Sequence, residues 1–194
     1  MRVILAEKPS VAQSISAVLG ADQKKNGYLQ GENDLVSWCI GHLIELAPPE
    51  IYDARYAKWR REDLPIVPSA WESVVSDGTK KQFAVLKDLL NRTDVDEVVC
   101  ATDAGREGEL IFRMVYEKTG CTKPVKRLWI SSLEESAIRE GFRSLKPGTA
   151  YDALYRAALC RAQADWLVGI NGTRLYSRLY GTKLNVGRVM TPTL

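Results

Sequence analysis

The sequence predicts an α/β fold, a parallel Rossmann-like sheet followed by the helical opening of a second domain. Three observations predict it. Short apolar runs at 2–6, 98–101 and 127–130 each lead through a polar loop into a segment with apolar residues at helical spacing. Strand, loop and helix repeated three times build a parallel sheet. Residues 151–179 are rich in alanine and leucine with arginines at intervals, which predicts one or two helices outside that sheet. The charge also changes sign along the chain, and the expected organisation is a sheet domain over 1–150 and a helical domain over 151–194.

The elements follow in order. Arg2-Val3-Ile4-Leu5-Ala6 is an almost continuous apolar run, the mark of a strand buried on both faces. A helix comes next: Pro9 suits its first turn, Val11, Ile15, Val18 and Leu19 share one face, and Gly20 stops it. Tyr28-Leu29-Gln30, the turn signal Gly31-Glu32-Asn33-Asp34 and the run Leu35 to Ile40 predict an antiparallel hairpin beside the sheet. Residues 48–71 carry Pro48, Pro49, Pro65 and Pro68 with Tyr52, Tyr56 and Trp59, and read as an irregular surface crossing before regular structure resumes at Lys80. Val98 to Ala101 is a second buried strand, Thr102 to Gly108 its loop, and Leu110 to Tyr116 the start of a helix. Arg127-Leu128-Trp129-Ile130 is a third strand, and Ser132-Leu133-Glu134-Glu135 has capping-box spacing for a helix reaching about Arg143.

Composition excludes several classes. At 194 residues and 45% hydrophobic the chain can bury a real core, which rules out disorder. No apolar run approaches the roughly 20 residues that cross a bilayer, and the N-terminal run is too short for a signal peptide, so a cytoplasmic protein is expected. Cys39, Cys100, Cys121 and Cys160 have no C-x-x-C spacing and lie in or beside apolar stretches, as small core or boundary residues do. A single histidine excludes multi-histidine metal sites. A Ser-His-Asp triad could rest only on His42, whose apolar-looking surroundings from Trp38 to Ile44 favour a structural role.

The net charge of +3 predicts no partner, but its distribution is informative. Residues 1–118 hold 15 basic and 19 acidic side chains, whereas 119–194 hold 12 and 5. Within 153–194 the cations are Arg156, Arg161, Arg174, Arg178, Lys183 and Arg188 against Asp165 alone. A guanidinium fork suits phosphate, although charge of this kind equally suits a solvated helix face.

Ligands in parallel α/β sheets bind beyond the carboxyl ends of the strands. The first strand delivers Glu7 and Lys8 there, the second Asp103, Arg106, Glu107 and Glu109. Hard carboxylate oxygens beside cations fit a Mg²⁺-plus-phosphate site. Each residue has an ordinary alternative: Asp103 as a helix N-cap, Glu107 and Glu109 as first-turn acids facing the helix dipole, Glu7 and Lys8 as exposed neighbours. The same acid-plus-base pattern at two strand ends favours the site. No Gly-x-x-x-x-Gly-Lys-Ser/Thr loop is present, so nucleoside triphosphate energy is not indicated.

At these residues the chain resembles a known family. Ala6-Glu7-Lys8-Pro9-Ser10 and Ala101-Thr102-Asp103-Ala104-Gly105-Arg106-Glu107-Gly108-Glu109 are similar to the two motifs of a Toprim domain, that of type IA DNA topoisomerases of the bacterial topoisomerase III kind. The resemblance continues through Trp38-Cys39-Ile40-Gly41-His42-Leu43, Asp165-Trp166-Leu167-Val168-Gly169-Ile170-Asn171 and Gly187-Arg188-Val189-Met190-Thr191-Pro192-Thr193-Leu194. It implies a Toprim domain over 1–150 and a partial single-strand-binding domain over 151–194.

It also implies a reaction in which a tyrosine attacks single-stranded DNA, forms a 5′-phosphotyrosyl link, lets another strand pass and reseals. Glu7 would protonate the departing 3′ oxygen and later take its proton back, and Lys8 would touch the scissile phosphate. Glu7, Asp103 and Glu107 would carry Mg²⁺, while Arg106 would orient phosphate and tyrosine. Arg161, Asp165, Arg174 and Arg188 would serve a single-stranded DNA groove, with Asn185, Val186, Gly187, Arg188, Val189 and Met190 as a backbone-contacting turn. The expected partners are single-stranded DNA and the remaining domains of a longer enzyme, with no membrane; the enzyme is expected to be monomeric and nucleoid-associated.

Two departures are visible. Gly105 stands where the family commonly has a second aspartate, which predicts weaker Mg²⁺ binding. None of the eight tyrosines sits in the family's nucleophile context, so an N-terminal fragment unable to cut DNA alone is expected. The competing readings are another Toprim enzyme, a primase or nuclease, and a non-catalytic DNA-binding module. The Asp165–Asn171 and Gly187–Leu194 stretches argue against the primase or nuclease; Gly105 and the missing tyrosine favour the binding module.

Overall fold

The structure is a computed structural model and describes residues 1–193. Leu194, the last residue of the Gly187 motif, lies outside the described residues. The chain divides into two units, Met1–Ile44 with Val75–Ala158 and Glu45–Val74 with Leu159–Leu194.

The first unit is built on β1 (Arg2–Ala6), whose last four residues are buried. Helix α1 (Pro9–Leu19) follows with Pro9 in its first turn, and it ends at Gly20 in the left-handed region, as expected. Strands β2 (Gln23–Lys25), β3 (Tyr28–Gln30) and β4 (Asp34–Trp38) come next. β3 and β4 form the expected antiparallel pair, but β4 also runs parallel to β1 with Ala6 opposite Trp38, so the hairpin is part of the main sheet and not an attachment to it. Between β5 (Ile44–Leu46) and β6 (Ser73–Val75) the chain makes its excursion into the second unit, where α2 (Pro49–Tyr52) lies.

Regular structure resumes with α3 (Lys80–Leu90), then β7 (Glu97–Ala101), α4 (Arg106–Thr119), β8 (Val125–Arg127), α5 (Glu135–Arg143) and β9 (Lys146–Pro147). The seven-stranded order is β2-β3-β4-β1-β7-β8-β9, and β4, β1, β7 and β8 are mutually parallel. Side chains alternate across it. Ile4, Ala6, Val36, Val99 and Ala101 pack with Ala12 and Ile15 of α1 and Ile138 of α5, and each fully buried large aliphatic contributes roughly 1.5–3 kcal/mol.

Three expected boundaries move, the first being α4, which starts at Arg106 inside the loop expected over 102–108. The third strand is Val125–Arg127, not 127–130, because Pro124 and Val125 engage β7 and Lys126 and Arg127 engage β9. The capping box does not form. The helix starts at Glu135, and Ser132 Oγ accepts from the backbone N–H of Glu134, closing a turn before it.

The second unit holds most of α6 (Asp152–Tyr180), a single helix where one or two were expected, and α7 (Met190–Thr193). The segment 48–71, expected as a surface crossing, packs within this unit. The Asn171 side chain accepts from Ile66 N at 2.6 Å and donates to Ile66 O at 3.0 Å, clamping the segment to α6. Trp166 donates through Nε1 to Ala47 O and meets Tyr52 and Trp71 edge-on, which makes it a packing residue.

Candidate active site at the carboxyl edge of the sheet

Parallel strands deliver their following residues to one edge. Ala6 of β1 lies opposite Ala101 of β7, so Glu7 and Asp103 leave the sheet side by side. The Glu7 carboxylate, largely buried, accepts the backbone N–H of Asp103 through Oε2 at 3.2 Å. Lys8 is exposed at the start of α1.

The Asp103 loop is held from inside. Thr102 Oγ1 donates to Gly108 O at 2.7 Å, and Gly108 lies so close that any Cβ there would overlap the Asp103 carbonyl. Beneath it Arg127 is 0% exposed and donates to the carbonyls of Cys100, Thr102, Leu128 and Asp103. Its Nε bonds Glu109 Oε2 at 3.1 Å, and Arg113 bonds the other Glu109 oxygen at 3.0 Å. Glu109 therefore faces inward as the partner of two arginines and does not join the loop mouth as its position in the sequence suggested. Asp103 is not the cap of α4 either; Gly105 occupies that place with extended backbone.

Asp103, Arg106 and Glu107 are exposed at the mouth, beside an opening of about 320 Å³ that Asp103, Ala104, Ile130 and Ser132 help to line. Glu107 is engaged by the histidine. Its Oε1 lies 2.7 Å from His42 Nε2, with the two side chains 63% and 39% exposed. His42 is thus no core residue: Gly41, at φ 70°, turns the chain outward after β4 and delivers the imidazole to the same edge. Carboxylates are the right donors for a hard cation, yet among the described residues no three His, Cys, Asp or Glu side chains stand close enough to hold one. As placed here, Glu7, Asp103 and Glu107 do not fit a ready metal centre.

Under the site, Cys39 and Cys100 are buried, and desolvation pushes both thiols up, Cys100 to about 11. Cys121 is buried as well, but Cys160 is exposed on α6, contrary to the expectation for all four.

In the second unit the expected DNA-facing residues part company. Asp165 is shared by Arg188 and, at 3.7 Å, Arg161, and the Arg188 hydrogen bond holds its carboxyl below the usual range. Arg174 is 5% exposed, donates to Tyr56 O at 2.7 Å and stacks over Trp59, so as placed here it presents nothing to a phosphate. Asn185 and Met190 are exposed. The N–H groups of Val186 and Gly187 are already taken by Thr173 Oγ1 and Thr191 Oγ1; Arg188, whose side chain bonds Asp165, and Val189 are exposed.

Comparison with known proteins matches residues 2–133 to the Toprim domain family. The chain belongs to that family. After the Toprim domain, residues 149–194 match the DNA topoisomerase family. Relatives over essentially the whole chain are named DNA topoisomerase 3. That of Shouchella clausii is 54% identical over 193 residues, 100% of this chain and 26% of its own length. That of Staphylococcus epidermidis is 50% identical over 192 residues, 99% of this chain and 27% of its own. The chain thus spans about a quarter of the length of these relatives. A structure of full-length topoisomerase I from Thermotoga maritima shares the fold, with a TM-score of 0.65 at 24% identity over 96% of this chain and 28% of that one. The Toprim resemblance read from Glu7-Lys8 and the Asp103 motif is therefore supported over residues 2–133. No helix among the described residues is long and apolar enough to cross a membrane.

Proposed function

We propose that this chain supplies the Toprim part of a type IA DNA topoisomerase of the topoisomerase III kind, which opens, passes and reseals single-stranded DNA without a nucleoside triphosphate. The observation that carries the proposal is the meeting of Glu7 with the Asp103 loop at 3.2 Å across two in-register parallel strands. A carboxyl group fixed there can give a proton to a departing 3′ oxygen and take it back on resealing. Lys8 and Arg106, both exposed at the same edge, supply positive charge for the phosphate. The attacking tyrosine belongs, in this reading, to the part of the family's length that the chain does not span.

Mg²⁺ is the cation this reading assigns to the carboxylates. Single-stranded DNA would follow Arg161, Arg188 and Val189; the family's enzyme would act as a monomer in the cytoplasm, at the nucleoid. Gly105 and the engagement of Glu107 by His42 favour one alternative, a Toprim module that binds DNA without processing it.

A chimera tests the proposal: this chain replaces the matched quarter of the Shouchella clausii relative. Relaxation of negatively supercoiled DNA without ATP, together with a covalent 5′ adduct, is the expected result. A folded chimera that binds single strands but forms no adduct would favour the binding module.

A further inference from the structure

We propose that the opening beside the Asp103 loop is a slot for one unpaired nucleobase, that of a nucleotide flanking the linkage on which Glu7 acts, with Val11, Ile130 and Leu133 as its apolar walls. The slot rests on the reading of this sheet edge as a place where single-stranded DNA is handled.

The topology builds it. β1, β7 and β8 are consecutive in the sheet and parallel, so the segments that follow them leave on one edge: the first turn of α1 with Val11, the loop with Asp103 and Ala104, and the stretch 130–133. All three line the same opening of about 320 Å³, at the small end of the range for ligand pockets, roughly 300–1,000 Å³. That is room for one planar base. The walls are set before any ligand arrives, because Val11 and Ile130 pack against the buried core and Gly141 of α5 sits so close behind Ile130 that a Cβ there would overlap it. Arg127 and Gly108 fix the Asp103 side. Leu133 stands out into solvent at the mouth, 46% exposed.

The chemistry of the lining selects the occupant. Among the described residues no Lys or Arg lines the opening, and Ser131 and Ser132 add hydroxyl groups to the apolar walls, so a phosphate finds no counter-charge inside. The cations stand outside on the same segments. Lys8 lies just before α1 and Arg106 two residues beyond Ala104, both exposed. Phosphate at the cations and base in the slot is the division that suits a nucleotide. A base beside a linkage gripped by protein gives up stacking on its neighbours, and apolar walls return that contact.

Photo-cross-linking of this chain to oligothymidine carrying 4-thiothymidine, with the attached peptides read by mass spectrometry, locates the base, and the link is expected at Val11 or within 130–133. Affinity then tests the wall. Leu133→Ala is expected to weaken oligothymidine binding roughly fivefold, while an abasic strand of equal length and charge stays within about twofold. Leu133→Met, which restores an apolar wall, is expected to stay within about twofold of the parent on both strands. Leu133 is exposed, so neither variant threatens the fold. Cross-links confined to other segments, or a Leu133→Ala variant that loses nothing or loses equally on both strands, would overturn the base slot, leave its apolar wall to a protein neighbour and not touch the DNA reading. A parent chain that binds neither strand would overturn that reading and the slot with it.

Discussion

Arg127 holds the Asp103 loop by its main chain. Its Nη2 donates to Asp103 O at 2.7 Å from a guanidinium with no exposure, while Nε bonds Glu109. The charge is compensated by one carboxylate, and the planar fork reaches carbonyls at the end of β7 that a lysine could not reach together. Arg127→Ala leaves Glu109 with Arg113 alone and removes a buried donor from four interior carbonyls, and a loss of about 3–5 kcal/mol is expected in chemical denaturation. A loss under 1 kcal/mol would mean that water replaces the arginine and that it does not hold the loop.

Gly108 provides the second clamp. A Cβ at this position overlaps the Asp103 carbonyl and backbone nitrogen, which are main-chain atoms and cannot swing aside. Gly108→Ala is therefore expected to destabilise the chain by about 1–3 kcal/mol, as overpacking does. Stability equal to the parent would show that the loop is free to shift.

Gly105 is a different case. Its backbone is extended, at φ 179°, and nothing lies within 4 Å of a Cβ placed there, so Gly105→Asp is sterically allowed. The added carboxylate is expected to leave the melting temperature within a few degrees and to tighten Mg²⁺ binding several-fold, read by calorimetry. Equal affinities would remove position 105 from any role in cation binding.

The cysteines give a pH test. Burial raises the Cys100 thiol from 9.0 to about 11, so between those values the unfolded chain releases a proton that the folded chain keeps. Stability contributed below about pH 9 is then lost as pH rises towards 11, and urea midpoints should fall across that range. Thiol labelling at pH 8 should modify Cys160 alone in the folded chain and all four cysteines after denaturation. Fast native labelling of Cys39 or Cys100 would contradict their burial under the site.

What was legible in the sequence follows from where the information is local. β1, α1 and β7 announce themselves because strands buried on both faces need continuous apolar runs, and Pro9 and Gly20 bracket their helix. Glu7 and Asp103 were legible as a pair for the same reason, since parallel strands send their ends to one edge. Arg127 was hidden: an arginine in an apolar run reads as a strand boundary, and only its position opposite Glu109 reveals a buried ion pair. His42 was hidden the opposite way, because apolar neighbours suggested a core residue while the turn at Gly41 carries it outward. The packing of 48–71 depends on Asn171 meeting Ile66 across 105 residues, and no local pattern encodes such a meeting. Arg174 looked like one more surface cation because nothing nearby in sequence shows Tyr56 and Trp59 closing over it.

The central claim is that Glu7 does proton chemistry on a DNA linkage beside the Asp103 loop. Its most direct measurement is 5′ adduct formation by the chimera with a labelled single strand, comparing Glu7 with Glu7→Gln. The glutamine keeps an acceptor for Asp103 N–H but cannot cycle a proton, so adduct yield is expected to fall at least about 100-fold with single-strand affinity within about twofold. Undiminished adduct from Glu7→Gln, at unchanged affinity, would contradict the account.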